Sequence, residues 1–332
     1  MTAAVSPGWR TLSGDDLARL AGSDEFQLYD GFPQGRVLDV RSADGTSIHT
    51  EVFGPENGYP IVLSHGICCG IRFWANQITA LSTIYRVIAF DHRGHCRSGR
   101  PARDGWTVGH LGDDLAAVLR TALRPEERAL VAGHSMGGIA IQAWADRYPD
   151  DVARFADSVA LINSTPGDLT RNIASTISGG RLRAPLSTLV DLLAPVALKV
   201  LGGIPMPGRL LRRAGVISPI AIGATASPAA RALVQELVLS TLSPTRSRWF
   251  RTLLALRDGQ FDASRLTAPT LVIGSTGDQL LGYAASGRLA ARLPNSLGLV
   301  TLRGGHCAPL EHPQAVTAAL WKLTGLRTPI TA

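Results

Sequence analysis

A serine between glycines, a late aspartate and a histidine near the end are the residues of this sequence whose types and spacing predict chemistry. Ser135 lies in the segment GHSMGG at 133–138, directly after the apolar run 129–132 and directly before a helical pattern. A serine hydroxyl is a poor nucleophile unless a sharp turn holds it out of the packed surface and toward a base. Gly133 and Gly137 lack the Cβ atoms that would clash in such a strand-to-helix turn, called a nucleophile elbow. The motif therefore predicts Ser135 as the nucleophile of an acyl transfer.

The backbone amides of Ile67 and Met136 are predicted to form the oxyanion hole. Met136 follows Ser135 at the start of the predicted helix, so its amide points with the positive helix end toward an anion beside the serine. Ile67 lies in the segment SHGICCG at 64–70, which follows the apolar run 60–64 and leaves the sheet at the same edge. Losing one such donor typically lowers the rate by about 10²–10³-fold.

His306 is the preferred general base among the eight histidines. It follows the last apolar run, in the segment RGGHC at 303–307, and the paired glycines predict a flexible, exposed loop rather than a core position. His134 is next to the nucleophile and is expected to point away on the other side of the turn. His65 belongs to the oxyanion loop, and we expect the remaining histidines to be structural.

Asp278 is the preferred acid that would hold the imidazole in the correct tautomer. It lies in a turn after a predicted strand, and the chain order Ser135, Asp278, His306 is the one expected for an elbow of this kind. The rival position, after the preceding predicted strand, begins with Asn163 and has no carboxylate before Asp168. Asp168 therefore stays open as the alternative acid.

The elements that must position these side chains alternate along the chain. Strands are predicted at 36–41, 47–53, 60–64, 86–90, 129–132, 159–162, 270–273 and 297–302, and helices at 73–81, 111–123 and 139–148. An opening antiparallel hairpin followed by strand–helix alternation predicts an α/β fold with an open, mostly parallel sheet and flanking helices. From the third strand onward the runs are apolar throughout, so we expect those strands to be buried on both faces.

Three regions are predicted along the chain. Residues 1–35 form an N-terminal lead-in with a short helical pattern at 15–21, and residues 36–166 with 257–326 form the α/β core. Residues 167–256 interrupt the alternation, contain no clear strand and are rich in Leu, Ala, Pro and Gly. We expect a helical cap over the carboxyl ends of the strands, where ligands bind in open α/β folds. The alternative is a helical domain that only packs against the core.

Composition excludes several other classes of protein. With 332 residues, 45% hydrophobic and 18% charged, the chain can bury a large core and is not disordered. Its four cysteines lack metal-ligand spacing, which predicts free thiols in a reducing compartment. We find no leader of basic and then apolar residues and no run of 18 strongly apolar residues, so we expect a cytoplasmic protein. We expect neither a metal nor an organic cofactor.

The net charge of +7 is concentrated in the insertion. Between residues 167 and 242 there are eight basic and three acidic residues, without interleaved aromatic residues, so a nucleic-acid partner is not expected. The basic surplus leaves open a peripheral contact with an anionic membrane surface. Self-association into a homo-oligomer also stays open.

Together these motifs resemble the α/β-hydrolase superfamily, in particular its serine esterase and lipase-like members with a helical cap, over about residues 37–323. Besides the GHSMGG motif, Asp278 and His306, the segment DHRGHCRS at 91–98 is similar to the D-x-R-G-x-G-x-S loop common in this superfamily. Cys96 stands where glycine is usual. A second departure is that Asp278 is followed by QLL without the proline often found shortly after it.

The resemblance implies a two-step acyl transfer that needs no cofactor. Ser135, deprotonated by His306, would attack a carbonyl while the amides of Ile67 and Met136 hold the oxyanion. Because the nucleophile is serine rather than aspartate, the alkyl-enzyme chemistry of epoxide hydrolases and haloalkane dehalogenases is disfavoured. The thiols of Cys68, Cys69 and Cys307 adjoin this site in sequence, either as small buried side chains or as groups that face the substrate.

The expected activity is hydrolysis of a carboxylic ester, with a small ester or lipid-like molecule as the substrate. The leucine-rich insertion favours an apolar acyl or alkyl group. A thioesterase, a lactonase, a carbon–carbon bond hydrolase or a cofactor-free perhydrolase would use the same triad, and the sequence does not separate them. A different class of function, a non-catalytic ligand receptor that retains the fold, also remains an alternative.

Overall fold

The computed structural model describes residues 28–29, 31–169, 221–224 and 226–325. Its strands are β1 (Arg36–Arg41), β2 (Ser47–Phe53), β3 (Pro60–Ser64), β4 (Arg86–Phe90), β5 (Ala129–His134), β6 (Ala156–Ile162), β7 (Thr270–Ser275) and β8 (Ser296–Leu302). Its helices are α1 (Ala75–Leu81), α2 (Val108–Ala122), α3 (Met136–Arg147), α4 (Pro149–Phe155), α5 (Pro228–Ser240), α6 (Ser243–Leu254), α7 (Tyr283–Arg292), α8 (Ala308–Glu311) and α9 (Pro313–Thr324).

The strands form a single sheet in the order β1-β2-β4-β3-β5-β6-β7-β8. The pairs β1–β2 and β2–β4 are antiparallel, whereas β4, β3, β5, β6, β7 and β8 run parallel to one another. This arrangement confirms the predicted α/β fold with a mostly parallel open sheet. Because the carboxyl ends of parallel strands share one edge, the loops after β3, β5, β6, β7 and β8 meet there.

The sheet separates two apolar cores, one on each face. Strand β3 shows the division: Ile61 and Leu63 belong to one core, with α1 and α9, while Val62 belongs to the other, with α2 and α3. Successive side chains of a strand point to opposite faces, so a strand covered by helices on both sides must be apolar throughout. All residues of β3, β4, β5 and β6 are accordingly buried.

Strand β8 does not follow this pattern. Leu297 is 46% exposed and Val300 is 36% exposed, so the expectation that this apolar run is buried on both faces is wrong. The physical reason is its position as the last strand of the sheet, paired on one side only, with β7. An apolar run alone does not distinguish a central strand from an edge strand.

The described part of the insertion between β6 and β7 is helical. Helices α5 and α6 both have proline in the first turn, and the Ser227 hydroxyl caps α5 by accepting a hydrogen bond from the Ala230 amide. Helix α6 rests on the core through Trp249, which is fully buried and whose Nε1 donates to the Arg93 carbonyl oxygen at 3.3 Å. The assignment of residues 167–256 to a cap stays a prediction, because residues 170–220 and 225 lie outside the described residues.

Two other expectations also fall largely outside the described residues. The helical pattern at 15–21 lies there, and so do seven of the eight basic residues that suggested a membrane surface, all of them within 170–220. Among the helices that the structure describes, none combines the length and the apolar character needed to cross a bilayer.

A fully buried arginine ties the first hairpin to the core. The Nε and Nη2 atoms of Arg93 donate to the two carboxylate oxygens of Asp114 at 2.7 and 2.6 Å, and Nη1 donates to Asp44 Oδ2 at 2.8 Å. Burial opposes the charge on Arg93, but the hydrogen bonds that it donates to Asp114 and Asp44 outweigh burial and raise the pKa of the guanidinium. Asp44 lies in the β1–β2 turn and Asp114 in α2, so this ion cluster joins two elements that are distant in sequence.

Replacement of Asp114 by Ala is expected to destabilise the fold strongly, because the Arg93 charge would remain buried without its bidentate partner. Removing one member of a buried pair typically lowers the free energy of unfolding by about 3–5 kcal/mol. The matched control is Asp258→Ala, whose ion pair with Arg292 is about 40% exposed on both sides and is worth about 0–1 kcal/mol. Urea unfolding measures both, and equal losses in the two variants would contradict this role of Arg93.

Three buried histidines pack beneath the loop that follows β3. The ring of His65 lies 4.6 Å from that of His92 and 5.4 Å from that of His95. His65 Nε2 accepts the His92 amide at 3.0 Å, and His95 Nε2 accepts the Cys68 amide at 3.0 Å. Burial lowers the pKa of all three, to about 3 for His92 and about 4 for His95. They are therefore neutral near pH 7. His65 and His95 each accept a backbone amide, whereas His92 Nε2–H donates to the His65 carbonyl oxygen at 3.0 Å.

The free energy of unfolding is expected to fall as the pH drops below about 6.5. The unfolded chain then binds protons on these histidines, whereas the folded chain does not until about pH 4 for His95 and about pH 3 for His92. Each histidine adds a slope of up to about 1.4 kcal/mol per pH unit. His95→Gln keeps an acceptor for the Cys68 amide and should flatten the slope by about one proton. Urea unfolding at several pH values tests this, and an unchanged slope in the variant would contradict it.

Candidate active site

Ser135 occupies a strained turn between β5 and α3. Its φ is 54° and its ψ is −115°, a positive φ that is uncommon for a residue with a side chain. A Cβ on Gly133 would lie 2.5 Å from the Gly137 backbone, and one on Gly137 would overlap the Ser64 carbonyl. The Ser135 amide donates to the Ile162 carbonyl oxygen at 2.9 Å, which holds the turn against β6. The structure thus contains the sharp turn that the two glycines predicted.

Asp278 is buried in the turn after β7 and accepts four hydrogen bonds. Its Oδ2 accepts from His306 Nδ1 at 2.8 Å and from Asn163 Nδ2 at 3.0 Å, and its Oδ1 accepts from the amides of Leu280 and Leu281 at 2.9 and 3.0 Å. Burial alone would raise the pKa of this carboxyl group. Proximity to His306 and the hydrogen bonds outweigh burial and hold the pKa of Asp278 below its ordinary value. The carboxylate is therefore charged although it is enclosed.

The absence of proline directly after Asp278 affects how its carboxylate is held. Leu280 and Leu281 each donate a backbone N–H to the carboxylate, and proline has no such donor. Asn163, which sequence reasoning treated only as a position without a carboxylate, donates to the acid from the end of β6. The signal that could have identified Asn163 was its position directly after β6, the strand that neighbours β7 in the sheet.

His306 is 4% exposed, so the expectation of a flexible, exposed loop is wrong. The Gly277 amide donates to the Gly304 carbonyl at 2.8 Å, and the backbone of Gly223 packs directly on Gly305, which encloses the loop. With Nδ1–H donated to Asp278, the imidazole has its lone pair on Nε2. That Nε2 is buried and has no hydrogen-bond partner among the described residues.

His134 does not point away from the site, so this expectation is also wrong. Its Nε2–H donates to the His306 carbonyl oxygen at 2.8 Å, and the two rings are 4.9 Å apart. The other side of the ring stacks on Phe73 at 4.5 Å. Burial, reinforced by His306, lowers the pKa of His134 to about 3. His134 is therefore a neutral side chain that supports the backbone of residue 306.

The loop after β3, the Ser135 turn and His306 all lie around His134. A Cβ on Gly66 would be 2.8 Å from His134 Nδ1 and 3.2 Å from the Ser135 Cβ, so the loop after β3 touches the serine turn. The Ser135 hydroxyl and His306 Nε2 do not form a hydrogen bond in this structure. Catalytic hydrogen bonds of this kind are often long before substrate binds and tighten in the complex.

Two backbone amides at this junction are left without an acceptor. In the loop after β3, the Cys68 amide donates to His95 Nε2 and the Cys69 amide donates to the Gly66 carbonyl oxygen. The amides of Ile67 and Met136 make no hydrogen bond within the described part of the chain. Met136 follows Ser135 directly, and Ile67 follows Gly66, which lies against the Ser135 side chain.

The cysteines beside the site are buried thiols. Cys68, Cys69 and Cys307 are each less than a tenth exposed, and burial raises the pKa of all three, to about 12 for Cys68. They are protonated near pH 7 and behave as small packed side chains. Cys96 has a φ of 41°, the left-handed conformation that explains why glycine is usual at this position of the loop. In the described ranges, no group of three or more His, Cys, Asp or Glu residues is arranged to hold a metal ion.

An apolar cluster forms one wall of the site. Its buried members include Met136, Trp249 and Leu281, and the partly buried Ile67 and Leu280 pack against it. The cluster therefore combines residues beside Ser135, in the loop after β3 and beside Asp278 with helix α6 of the insertion.

Comparison with known proteins agrees with this architecture. A family model described as the alpha/beta hydrolase fold matches residues 59–313. "Putative carbamate hydrolase RutD" of Caulobacter sp. (strain K31) is 29% identical over 287 residues, covering 85% of this chain and 97% of that protein. The non-heme chloroperoxidase of Streptomyces lividans is 28% identical over 292 residues, with the same coverage of 85% and 97%.

Solved structures show the same fold. A thermophilic esterase from Thermogutta terrifontis superposes with a TM-score of 0.68 at 21% identity, covering 88% of this chain and 100% of that one. The enol-lactonase from Burkholderia xenovorans LB400 superposes with a TM-score of 0.62 at 23% identity, covering 87% and 100%. The match of the family model over most of the chain, together with the sheet and the elbow, shows that this protein belongs to the α/β-hydrolase fold family.

Proposed function

We propose that this chain is a serine hydrolase that cleaves carboxylic esters with an apolar acyl or alkyl group, through a triad of Ser135, His306 and Asp278. The observation that carries the proposal is the buried 2.8 Å hydrogen bond between His306 Nδ1 and Asp278 Oδ2. It leaves Nε2 of the same ring as a buried acceptor without a partner among the described residues, in a histidine that contacts His134, the residue directly before Ser135.

In the first step, His306 Nε2 takes the proton of the Ser135 hydroxyl while the serine oxygen attacks the ester carbonyl carbon. The amides of Ile67 and Met136 would donate to the oxyanion that forms. Asp278 stabilises the imidazolium without taking its proton. When the tetrahedral intermediate collapses, the imidazolium gives its proton to the alcohol that leaves, and the acyl group remains on Ser135.

In the second step, water enters the place of the alcohol. His306 Nε2 takes a proton from the water as its oxygen attacks the acyl carbon, and the same two amides hold the new oxyanion. Collapse of this intermediate breaks the bond to Ser135, whose oxygen recovers a proton from the imidazolium. The products are one acid and one alcohol, and the enzyme returns to its starting state.

The apolar wall beside the site favours a hydrocarbon group in the substrate. Ile67 and Leu280 are only partly buried, so surface of both remains to be covered by a ligand. Covering apolar surface contributes roughly 25 cal/mol per Å², so each buried methylene of an acyl chain strengthens binding by about 0.8 kcal/mol.

A carbamate is the second candidate substrate, because the family relative RutD is described as a carbamate hydrolase and covers 85% of this chain. The chloroperoxidase relative also keeps the perhydrolase alternative open, in which hydrogen peroxide replaces water in the second step. Three activities can be separated by measuring turnover of a p-nitrophenyl ester and of the matching N-alkyl carbamate, each with and without added peroxide. They are ester hydrolysis, carbamate hydrolysis and perhydrolysis.

Replacement of Ser135 by Ala is expected to lower kcat by about 10⁴–10⁶-fold with the fold intact, because the nucleophile is lost. Asp278→Asn, which removes the charge that stabilises the imidazolium, is expected to lower kcat by about 10⁴-fold. Ester turnover and covalent labelling with a fluorophosphonate measure both effects. The control is Ser264→Ala, at an exposed serine. Stoichiometric labelling of the Ser135 variant would contradict the assignment of the nucleophile.

A series of p-nitrophenyl esters from acetate to octanoate tests the apolar substrate. We expect kcat/KM to increase with the length of the acyl chain, because the added methylenes pack against the apolar wall. Equal concentrations below the critical micelle concentration keep substrate aggregation out of the comparison. A sharp preference for acetate over octanoate would overturn the apolar part of the proposal and leave the triad in place.

A further inference from the structure

Glu311 holds the backbone on both sides of His306. Its Oε2 accepts a hydrogen bond from the Gly305 amide at 2.7 Å, and its Oε1 accepts one from the Cys307 amide at 3.0 Å. The Glu311 amide in turn donates to the Cys307 carbonyl oxygen at 3.0 Å. One side chain therefore binds the residues immediately before and after the proposed base.

The same backbone is held from the opposite direction. His134 Nε2–H donates to the His306 carbonyl oxygen at 2.8 Å, from the last residue of β5 next to Ser135. With the amides of Gly305 and Cys307 bound to Glu311, three consecutive residues each have a main-chain group fixed by a side chain. The position of the His306 ring is thereby tied to the strand that carries the nucleophile.

Residues 221–223 of the insertion pack closely against Glu311 and the backbone that it binds. A Cβ on Gly223 would overlap both the Glu311 carboxylate and the Gly305 amide, and one on Gly305 would overlap the Gly223 backbone. The Cys307 thiol donates to the Ala221 carbonyl oxygen at 2.9 Å, which adds a hydrogen bond between the insertion and the loop of His306. Two glycines facing each other let the backbones approach this far, and the hydrogen bonds of Glu311 are partly buried.

The geometry requires a carboxylate. Two N–H groups converge on one side chain, and only an ionised carboxylate offers an acceptor oxygen to each of them. A glutamine of the same shape would keep one acceptor and turn an NH₂ group toward the other amide. Hydrogen bonds to a charged acceptor are roughly twice as strong as neutral ones, so the loss is larger than that of an ordinary bond.

We propose that Glu311 is a positioning residue for the general base, acting on the main chain of residue 306 and not on substrate. This inference rests on the proposed role of His306 in the triad. Among the residues that the structure describes, Asp278 from the β7–α7 turn and His134 from β5 contact the His306 ring, and Cys307 and Glu311 lie in its own segment. A displacement of about 1 Å of a catalytic group lowers a rate by as much as about 10²-fold.

The test compares Glu311→Gln with the wild type and with Glu126→Gln, a matched loss of charge at an exposed glutamate. We expect kcat per labelled active site to fall about 10- to 100-fold in Glu311→Gln, with KM within about twofold. The acid limb of the kcat/KM profile should move to lower pH, because an imidazole displaced from Asp278 loses part of the carboxylate that stabilises its cation. The downfield NMR signal of the His306 Nδ1 proton should shift or broaden. Glu126→Gln should match the wild type in all four measurements.

A purely structural role gives a different result. If the variant shows a lower melting temperature and a smaller labelled fraction, but the same kcat per active site, pH profile and Nδ1 signal, the positioning role is overturned. If the wild type hydrolyses no ester, the proposed function fails. The role of Glu311 is then decided by the rate of labelling with the fluorophosphonate and by the His306 Nδ1 proton signal. Loss of that signal in the variant then supports positioning, and an unchanged signal rejects it.

Discussion

The hydrogen bond between His306 and Asp278 is the interaction on which the site depends. A carboxylate with 3% of its side chain exposed would ordinarily be neutral, and a neutral acid could not stabilise an imidazolium. Four donors around Asp278 reverse the effect of burial and keep its pKa low. Three of them (the amides of Leu280 and Leu281 and the side chain of Asn163) do not take part in the proposed chemistry. These three donors help to keep the Asp278 carboxylate charged although it is buried.

Sheet order explains how residues far apart in sequence meet. Strands β5, β6 and β7 are neighbours, so Ser135, Asn163 and Asp278, at or just after their carboxyl ends, form a row along one edge of the sheet. His306 returns to that row from β8 through a loop held on one side by His134 and on the other by Glu311. Ser135 and Asp278 are therefore placed by neighbouring strands of the sheet, whereas the loop of His306 is also held by Glu311 of α8 and contacted by residues 221–223 of the insertion.

The sequence predicts those features that depend on local sterics and on burial along one strand. Strands β3 and β4 and the elbow at Ser135 have the predicted positions, since apolar runs and the flanking glycines leave few alternatives. The burial of His306 was not predictable in this way, because residues Ala221–Gly223, far away in sequence, cover its loop. The supporting roles of Asn163 and Glu311 also depend on which side chains meet across the sheet edge. For Asn163 the position directly after β6 is the one signal in the sequence, and for Glu311 no local pattern contains that information.

The most direct test of the central claim is a crystal structure of the protein after reaction with a fluorophosphonate, whose phosphonyl oxygen imitates the oxyanion. We expect a covalent bond to the Ser135 oxygen, with the phosphonyl oxygen about 2.7–3.1 Å from the amides of Ile67 and Met136. His306 Nε2 should lie within hydrogen-bond distance of the Ser135 oxygen, while its Nδ1 remains on Asp278. An adduct on another residue, or one in which the His306 ring turns away from Ser135, would contradict it.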